Sequence, residues 1–412
     1  MLSVSDARQT MLQGLNPRPA ELLPFAETLT RVLAQDIVAE APMPPFAQSA
    51  MDGFAVRSED TQQATTQTPT TLSVLGVLGA GHMASWTIRP GSAIRIMTGA
   101  PIPPGVDAVV KSEDTESTAE AVRLFHPASP RDHIIPVGRD IPLGTRLLQP
   151  GDVVTPWALG LFAALGMTRV SVHRRPRVGI LALGDELVPP HAPLAPGQIR
   201  VSNLYAVAAG VHKYGGLADN LGIAGDRLEA IDGALRRAGD VDLLVTLGGS
   251  QRGDFDLIDD LLTDSGNELI FREVAANYVR SLIFGRFGQI PLCGLPGSPV
   301  ASMVAFEVFV RAAIWRLAGR RSLEPVRLMA RLTASLSATG GRTHVQPVWV
   351  DATPEGMKAM PLHVRKAPHL PPITLANGLI CREPESPACQ VGEAVWVDVI
   401  DLPALAPEGE QR

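Results

Sequence analysis

Three apolar runs in the second half of the chain restrict the fold more than any other feature. They are residues 178–183, 243–247 and 291–295, and helical patterns such as 227–238 lie between them. Runs that are apolar on both faces and alternate with helices are typical of a parallel sheet covered by helices. The sequence therefore predicts an α/β domain over residues 177–322, with ligands bound beyond the carboxyl ends of its strands.

The rest of the chain has other patterns, and 412 residues are too many for one core. Residues 5–12 and 19–41 have helical spacing, with a break at Pro24, and another helix is predicted from about 155 to 166. Short alternating runs with Gly and Pro between them predict a small β-rich module over 42–137. Four short strand candidates after residue 322 predict a small all-β domain at the C-terminus.

Composition excludes several classes of function. The formal net charge is −6 and no long Lys/Arg run occurs, which argues against a nucleic-acid or anionic-membrane surface. The three cysteines, Cys293, Cys381 and Cys389, form no Cys-x-x-Cys pair and suit a reducing compartment. Cys293 lies in an apolar run and is interpreted as a core thiol. With neither a signal-like N-terminus nor a membrane-length apolar run, we expect a cytoplasmic protein.

Two glycine-containing loops follow predicted strands. In 248–256, the pair Gly248-Gly249 lets the backbone turn tightly and direct N–H groups at an oxyanion, and Asp256 is either a helix cap or a ligand. In 294–300, a helix capped by Ser298 with Pro299 at its first position explains those two residues. This helix start does not explain Pro296-Gly297, and an anion could bind at those two residues.

Acidic residues stand near the same strand ends. Asp185-Glu186 suits Mg²⁺ or a polar turn, and Asp226 is either a helix cap or a further acid in the same cleft. Asp52, beside Gly53, lies on a bend that glycine makes possible. The Thr98-Gly99 bend and Asp140 would each, taken alone, be turns. The histidines form no zinc-type pair, and no Gly-x-Ser-x-Gly or Walker motif appears.

Eight segments occur in an order shared with one known family. They are residues 45–57, 95–103, 138–141, 184–187, 197–203, 243–256, 294–300 and 376–379. On these segments the chain resembles the molybdopterin molybdenumtransferases, bacterial molybdenum insertases related to the E domain of gephyrin. The resemblance implies transfer of molybdenum from molybdate to the dithiolene of molybdopterin. The substrate would be adenylylated molybdopterin, whose phosphoanhydride is hydrolysed in a metal-dependent step that releases AMP.

The resemblance also implies an α/β multidomain fold and an elongated homodimer. A helical linker region would comprise residues 1–41 and 138–176, with a β-rich domain at 42–137. An α/β molybdopterin-binding domain with a parallel sheet would follow at 177–322, and a C-terminal β-barrel domain at 323–412. The cleft would combine the α/β domain of one subunit with the β-rich domain of the other. Further partners implied are the adenylyltransferase and molybdoenzyme-maturation proteins.

Site roles follow from the same resemblance. Mg²⁺ would be held by Glu186, Asp226 and Asp256, which together with Asp52 and Asp140 form the implied catalytic set. The implied substrate-binding set is Thr98, Gly99, Gly248, Gly249, Ser250, Arg252, Gly253, Arg280, Pro296, Gly297, Ser298 and Pro299.

The chain departs from the family pattern at several of these positions. Ser250-Gln251-Arg252 replaces the usual Val-Ser-Val/Met, Asn277 and Arg280 replace two lysines, and Val201 replaces an aspartate. Residues 366–369 stand at or near a family Gln-Gly-Ser-Gly segment. Arg252 could restore the lost charge, because Arg binds oxyanions with two prongs. Three readings follow: an active insertase, a non-catalytic paralogue that binds molybdopterin or a partner protein, and an unrelated phosphate-handling enzyme.

Overall fold

The computed structural model describes residues 1–249, 257–362, 374–402 and 404–405. The chain forms two compact units. The main unit comprises Met1–Gln35, Pro150–Gly160 and Met167–Arg412, and the small unit comprises Asp36–Gln149 and Leu161–Gly166.

Helices occur mainly in the second half of the described chain. The α-helices are Val4–Gln13 (α1), Pro156–Ala164 (α2), Asn203–Lys213 (α3), Leu228–Arg236 (α4), Leu257–Thr263 (α5), Pro299–Ala305 (α6) and Arg311–Leu317 (α7). A π-helical segment, Phe306–Val310, joins α6 to α7, and the short 3-10 helices are Phe25–Glu27, Ser58–Thr61 and Ser112–Asp114.

Strands make up most of the remaining regular structure. Up to residue 149 they are Ala20–Pro24 (β1), Ile37–Val38 (β2), Gln48–Ser49 (β3), Gly53–Val56 (β4), Thr70–Leu78 (β5), Ser92–Ile96 (β6), Ala108–Lys111 (β7), Thr115–Ser117 (β8), Ala121–Leu124 (β9), Ile134–Ile135 (β10) and Arg146–Leu148 (β11). After it they are Arg169–His173 (β12), Arg177–Leu183 (β13), Leu187–Val188 (β14), Ile199–Arg200 (β15), Leu217–Ala224 (β16), Leu243–Leu247 (β17), Glu268–Phe271 (β18), Ile283–Phe287 (β19), Ile290–Leu295 (β20), Arg327–Leu332 (β21), His344–Thr353 (β22), Gly356–Pro361 (β23), Gly378–Arg382 (β24), Ala394–Val399 (β25) and Ala404–Leu405 (β26).

The six-stranded sheet of the main unit confirms the α/β prediction. Its order is β16-β13-β17-β20-β19-β18. The first four strands are parallel, with Val178 opposite Leu243 and Leu244 opposite Leu292, while β19 and β18 add antiparallel strands at one edge. The sheet is therefore mixed, and the three predicted apolar runs are β13, β17 and β20 at its centre.

Helices cover both faces of this sheet, as the apolar runs predicted. Ile180 and Ala182 of β13 pack in one buried cluster with residues of α3 and α6, whereas Leu181 and Leu183 pack in another with residues of α4 and α5. Side chains of a strand alternate between faces, so a strand that is apolar throughout requires two cores. Cys293 is fully buried in the first cluster, and burial raises its thiol pKa to about 12, which agrees with a core thiol.

The helical spacing over 19–41 is the main error in the predicted secondary structure. Ala20–Pro24 is instead a strand that pairs antiparallel with β12, Ala20 lying opposite His173, and a 3-10 helix follows it. The other predicted helix near the N-terminus is correct: α1 is capped by Ser3, whose side chain accepts a hydrogen bond from the Asp6 N–H at 3.0 Å.

The C-terminal part of the main unit is a closed five-stranded barrel. Its strands follow the order β23-β21-β25-β24-β22, and β22 pairs with β23 to close the ring. β26 adds to β22 in parallel. Inward residues such as Val348, Val350 and Val397 form its core. The barrel implied by the resemblance is confirmed.

The small unit contains a curled six-stranded sheet of order β7-β4-β6-β5-β9-β8, which confirms its β-rich character. Gly53 opens β4 and does not have the positive φ that its expected place on a bend would need. A Cβ at this position would lie 2.0 Å from the carbonyl oxygen of Val110 in β7. The glycine is therefore required by the close approach of two strands.

Among the residues that the structure describes, no helix combines the length and the apolar character needed to cross a bilayer.

Candidate functional site

A cavity of about 480 Å³ opens at the carboxyl ends of β13, β17 and β20. We call it the carboxyl-end cavity. Parallel strands end at one edge of the sheet, so the loops that follow them converge there. The described residues that line it are Leu183, Gly184, Glu186, Leu187, Ile199, Arg200, Val201, Ser202, Asn203, Asp226, Leu247, Gly248, Gly249, Gly297, Ser298 and Pro299.

The glycine loop after β17 lies against the neighbouring strand end. Gly248 and Gly249 both have a positive φ, of 99° and 68°. A Cβ on Gly248 would lie 2.8 Å from the carbonyl oxygen of Leu183, and one on Gly249 would lie 2.7 Å from the Leu183 side chain. Both positions thus require glycine for conformation and for space. These two glycines line the cavity, as the sequence predicted from the strand-to-loop position.

Two of the acidic residues predicted for this cleft hydrogen-bond to each other, and the third lies over Gly184. The Asp185 N–H donates to the Asp226 carboxylate at 3.4 Å, and the Asp226 N–H donates to the Asp185 carboxylate at 3.2 Å. The Glu186 carboxylate folds back over Gly184, where a Cβ would lie 2.4 Å from Glu186 Oε2. Arg227 occupies the N-cap position of α4, so the cap interpretation of Asp226 is wrong. Asp226 and Glu186 both line the cavity.

The loop after β20 has the local structure that its sequence predicted. The Ser298 hydroxyl accepts a hydrogen bond from the Ala301 N–H at 3.2 Å, and Pro299 is the first residue of α6. The Asn203 amide donates to the carbonyl oxygen of Gly297 at 3.1 Å. Asn203 is 6% exposed, so this bond fixes the loop after β20 to the start of α3. Pro296 follows β20 directly but does not belong to the described lining.

Arg200 is a cation of the cavity that sequence reasoning did not select. It lies in β15, which pairs in parallel with β14, and the Ile199 N–H donates to the carbonyl oxygen of Glu186 at 2.8 Å. Its guanidinium donates to the carbonyl oxygens of Pro190 at 2.9 Å and Ala192 at 3.2 Å. The signal available was its place in segment 197–203, one residue before buried Val201.

Several predicted site residues lie outside the cavity or outside the described chain. Arg280 does not belong to the described lining, and its Nε is buried without a hydrogen-bond partner among described residues. Ser250, Arg252, Gly253 and Asp256 lie outside the described residues, as does segment 366–369. Within the described ranges, no group of three or more His, Cys, Asp or Glu side chains could hold a metal ion.

Asp52, Thr98 and Gly99 form one local structure in the small unit. The exposed Asp52 carboxylate accepts hydrogen bonds from the Thr98 N–H and the Thr98 hydroxyl, both at 2.7 Å. Gly99 has φ +80° and donates its N–H to the carbonyl oxygen of Ser49 at 2.8 Å. Asp140 is also exposed in this unit, and its N–H donates to the carbonyl oxygen of Met43 at 3.0 Å. Asp52 and the Thr98-Gly99 bend, which were predicted separately, thus meet at one carboxylate.

We expect the Asp52 carboxylate to remain ionised at pH values below the ordinary pKa range of aspartate. The backbone and hydroxyl hydrogen bonds from Thr98 lower its pKa from the usual 3.8, since both favour the charged form. Replacing Thr98 with valine removes the hydroxyl donor but keeps the larger backbone contribution. The pKa of Asp52 should therefore rise in Thr98→Val and still lie below 3.8, as followed by NMR titration.

A matched control is Thr71→Val, which removes an exposed threonine hydroxyl from β5 of the same sheet. It should leave the Asp52 titration unchanged. The lowered pKa also determines how Asp52 affects stability at different pH values. Its contribution to the free energy of unfolding is present above the pKa of Asp52 in the unfolded chain and is lost as the pH falls through the pKa in the folded chain. An Asp52 titration identical in Thr98→Val and the unchanged chain would contradict this account.

Comparisons with known proteins cover most of the chain. The MoeA N-terminal region (domain I and II) matches residues 2–166, a probable molybdopterin binding domain matches 179–316, and the MoeA C-terminal region (domain IV) matches 329–402. Molybdopterin molybdenumtransferase 2 of Mycobacterium tuberculosis is 36% identical over 359 residues, which are 85% of this chain and 88% of the relative. The chain belongs to the molybdopterin molybdenumtransferase family.

Other members of the family agree in sequence and in fold. The molybdopterin molybdenumtransferase of Haemophilus influenzae is 35% identical over 350 residues, covering 84% of this chain and 85% of that protein. Two structures of the molybdopterin biosynthesis MoeA protein from Pyrococcus horikoshii superpose with TM-scores of 0.84 and 0.83 at 28% and 26% identity. The first superposition covers 97% of this chain and 99% of the Pyrococcus structure, and the second covers 97% of this chain and 100% of the other structure.

Proposed function

We propose that this chain takes part in molybdenum cofactor biosynthesis by transferring molybdenum from molybdate to the dithiolene of adenylylated molybdopterin, with release of AMP. The names of its relatives support the transferase class. The observation that carries the proposal is the carboxyl-end cavity. There two carboxylates, a cation and two glycine-rich loops from adjacent strand ends surround one space large enough for an organic phosphate.

Arg200 is the residue that we propose for binding the anionic part of the substrate. It lines the cavity and is anchored by two backbone carbonyl oxygens, so its side chain is positioned before a ligand arrives. A guanidinium has five N–H donors, and these two bonds leave others free to bind phosphate. Arg200 would thus supply a cation to the cavity of a chain in which Asn277 and Arg280 replace two lysines of the family.

The donors in the cavity fit Mg²⁺. This ion commonly uses one or two carboxylates and completes its shell with water and phosphate oxygens. Glu186 and Asp226 line the same cavity and offer two carboxylates, and Asp256 remains a proposed third donor outside the described residues. When bound, Mg²⁺ would neutralise negative charge on the phosphoanhydride and orient water.

A homodimer and a cytoplasmic location remain predictions.

Incubation of the purified chain with adenylylated molybdopterin, molybdate and Mg²⁺ tests the proposal. We expect AMP to appear, and the product to activate a molybdoenzyme that lacks its cofactor. AMP is measured by chromatography and the cofactor by the recovered molybdoenzyme activity. A chain that binds adenylylated molybdopterin but yields neither AMP nor cofactor would contradict catalysis.

A non-catalytic scaffold is the second candidate, and one contact favours it. Asn277, in place of a family lysine, donates to the carbonyl oxygen of Val345 at 3.3 Å and accepts from the Val345 N–H at 2.7 Å. The side chain at this position is thus committed to joining β22 of the barrel to the α/β domain.

Expression in a strain that lacks its own insertase separates the two functions. A scaffold would bind molybdopterin and fail to restore nitrate reductase activity.

A further inference from the structure

A second cavity of the main unit is lined by an unusual number of cations. Its volume is about 310 Å³, and it shares no residue with the carboxyl-end cavity. We call it the basic cavity. The described residues that line it are Thr30, Arg31, Val32, Val153, His173, Arg174, Arg175, His212, Lys213, Tyr214, Gly215, Trp315, Ala318 and Arg320.

No acidic side chain belongs to this described lining, and three of the cations have carboxylate partners beyond it. Arg31 pairs with Glu21, Arg174 with Asp242 at 2.7 Å, and Lys213 with Asp401 at 2.6 Å. These contacts balance part of the positive charge, so those three side chains alone would not require a ligand.

Arg175 and Arg320 are not balanced in this way. Neither guanidinium has a carboxylate partner among the described residues, and both are partly buried. The Arg320 guanidinium lies 4.3 Å from the ring centre of Trp315, and Arg311 lies 5.3 Å from the same ring. Burial, and then the charge of Arg311, lower the pKa of Arg320 from its ordinary value. A cation in this position would be stabilised by an anion.

Trp315 supplies an independent sign of a missing acceptor. The residue is 7% exposed and lines the cavity, and its indole Nε1 is buried without a hydrogen-bond partner among the described residues. A buried donor left without an acceptor costs about 1–3 kcal/mol, so native proteins rarely contain one. The atom has almost no accessible surface, so an oxyanion in the cavity would accept this hydrogen bond after a shift of the side chains packed against the ring, such as Arg320.

We propose that the basic cavity binds a tetrahedral oxyanion through Arg175, Arg320 and the Trp315 indole. Guanidinium groups bind such anions with paired hydrogen bonds, and an indole can only donate, so the three groups suit the same ligand. The indole ring already has guanidinium groups against it, which leaves little room to stack a base. The oxyanion could be a free inorganic ion or the phosphoryl group of a nucleotide.

Isothermal titration of the full chain at low ionic strength tests this site with inorganic phosphate, molybdate and AMP as separate probes. We expect phosphate or molybdate to bind, and Arg175→Gln and Arg320→Gln each to weaken that binding at least tenfold. Trp315→Phe keeps an aromatic ring and removes the indole donor, so it should also weaken binding. Tighter binding of AMP than of both inorganic ions would identify the phosphoryl group as the source.

Two control variants separate this site from general charge effects and from the carboxyl-end cavity. Arg342→Gln removes one exposed arginine outside the cavity and should leave binding unchanged. Arg200 of the carboxyl-end cavity could bind the same anions, so the titrations are repeated in the Arg200→Gln background. There Arg175→Gln and Arg320→Gln should weaken the remaining binding by the same factor, whatever the outcome of the AMP-release assay. Equal affinities in the unchanged chain, Arg175→Gln and Arg320→Gln would overturn the proposal. Absence of binding by all three probes would do the same.

Discussion

Glu186→Gln is expected to slow the release of AMP from adenylylated molybdopterin about 100-fold or more. Loss of an outer-shell partner alone costs about 10–100-fold at metal sites, and a direct ligand should cost at least as much. Glutamine retains the size of the side chain and removes the charge that would hold Mg²⁺. The Glu186 carboxylate is exposed to the cavity and folds over Gly184, so the change should not disturb the sheet.

Asp226→Asn tests the second carboxylate of the same cavity. Its amide oxygen can still accept the hydrogen bond from the Asp185 N–H, which is 3.4 Å from the native carboxylate. The backbone should therefore stay in place while the charge is lost. We expect AMP release to fall by a similar factor and Mg²⁺ binding, measured by calorimetry without substrate, to weaken in both variants.

The matched control is Glu229→Gln in the first turn of α4. This glutamate is exposed, lies three residues after Asp226 and does not belong to the cavity lining. It should release AMP at the normal rate and bind Mg²⁺ normally. If Glu186→Gln and Asp226→Asn performed as well as Glu229→Gln in both assays, neither carboxylate would have the role proposed here.

The strand-end loops of the carboxyl-end cavity could be predicted because they follow recognisable strands. Runs that are apolar on both faces identified β13, β17 and β20, and the loops after parallel strands must converge. Ser298 and Pro299 were predictable as well, because a cap and an N-terminal proline act through local backbone geometry. Gly248 and Gly249 followed from the same local reasoning. None of these required knowledge of distant contacts.

Errors arose where distant parts of the chain decide the structure. Residues 19–41 have helical spacing, but Ala20–Pro24 pairs with Arg169–His173, which lies about 150 positions further along the chain. Backbone hydrogen bonding to a distant strand outweighs a weak helical preference. Sequence periodicity records only which side chains are apolar, so it could not indicate this partner.

The cations of the cavity show the same difference between local and distant information. Motif comparison directed attention to Arg280, because it replaces a family lysine. The folded chain instead places Arg200 in the cavity, through the short pairing of β15 with β14 and two bonds to the 190–192 turn. A two-residue strand has too few residues to show a period. Only the folded structure therefore distinguishes these two arginines.

Gly53→Ala is expected to destabilise the small unit by about 3 kcal/mol or more. The added Cβ would lie 2.0 Å from the carbonyl oxygen of Val110 and 2.9 Å from its carbonyl carbon. Backbone atoms of a hydrogen-bonded strand cannot turn aside as a side chain can, so β4 and β7 must separate. Faster amide exchange in β4 and β7, together with a lower midpoint of thermal unfolding, would report this loss.

Gly79→Ala is the matched control within the same unit. Its φ is not in the left-handed region, and the nearest atom to an added Cβ is His82 Nδ1 at 3.8 Å, an ordinary contact. We expect its stability to change by less than about 1 kcal/mol. Similar unfolding midpoints for Gly53→Ala and Gly79→Ala would contradict the role of strand approach. In that case only Asp52 of the Asp52-Gly53 pair would have a structural role, because Gly53 would not be needed to let β4 approach β7.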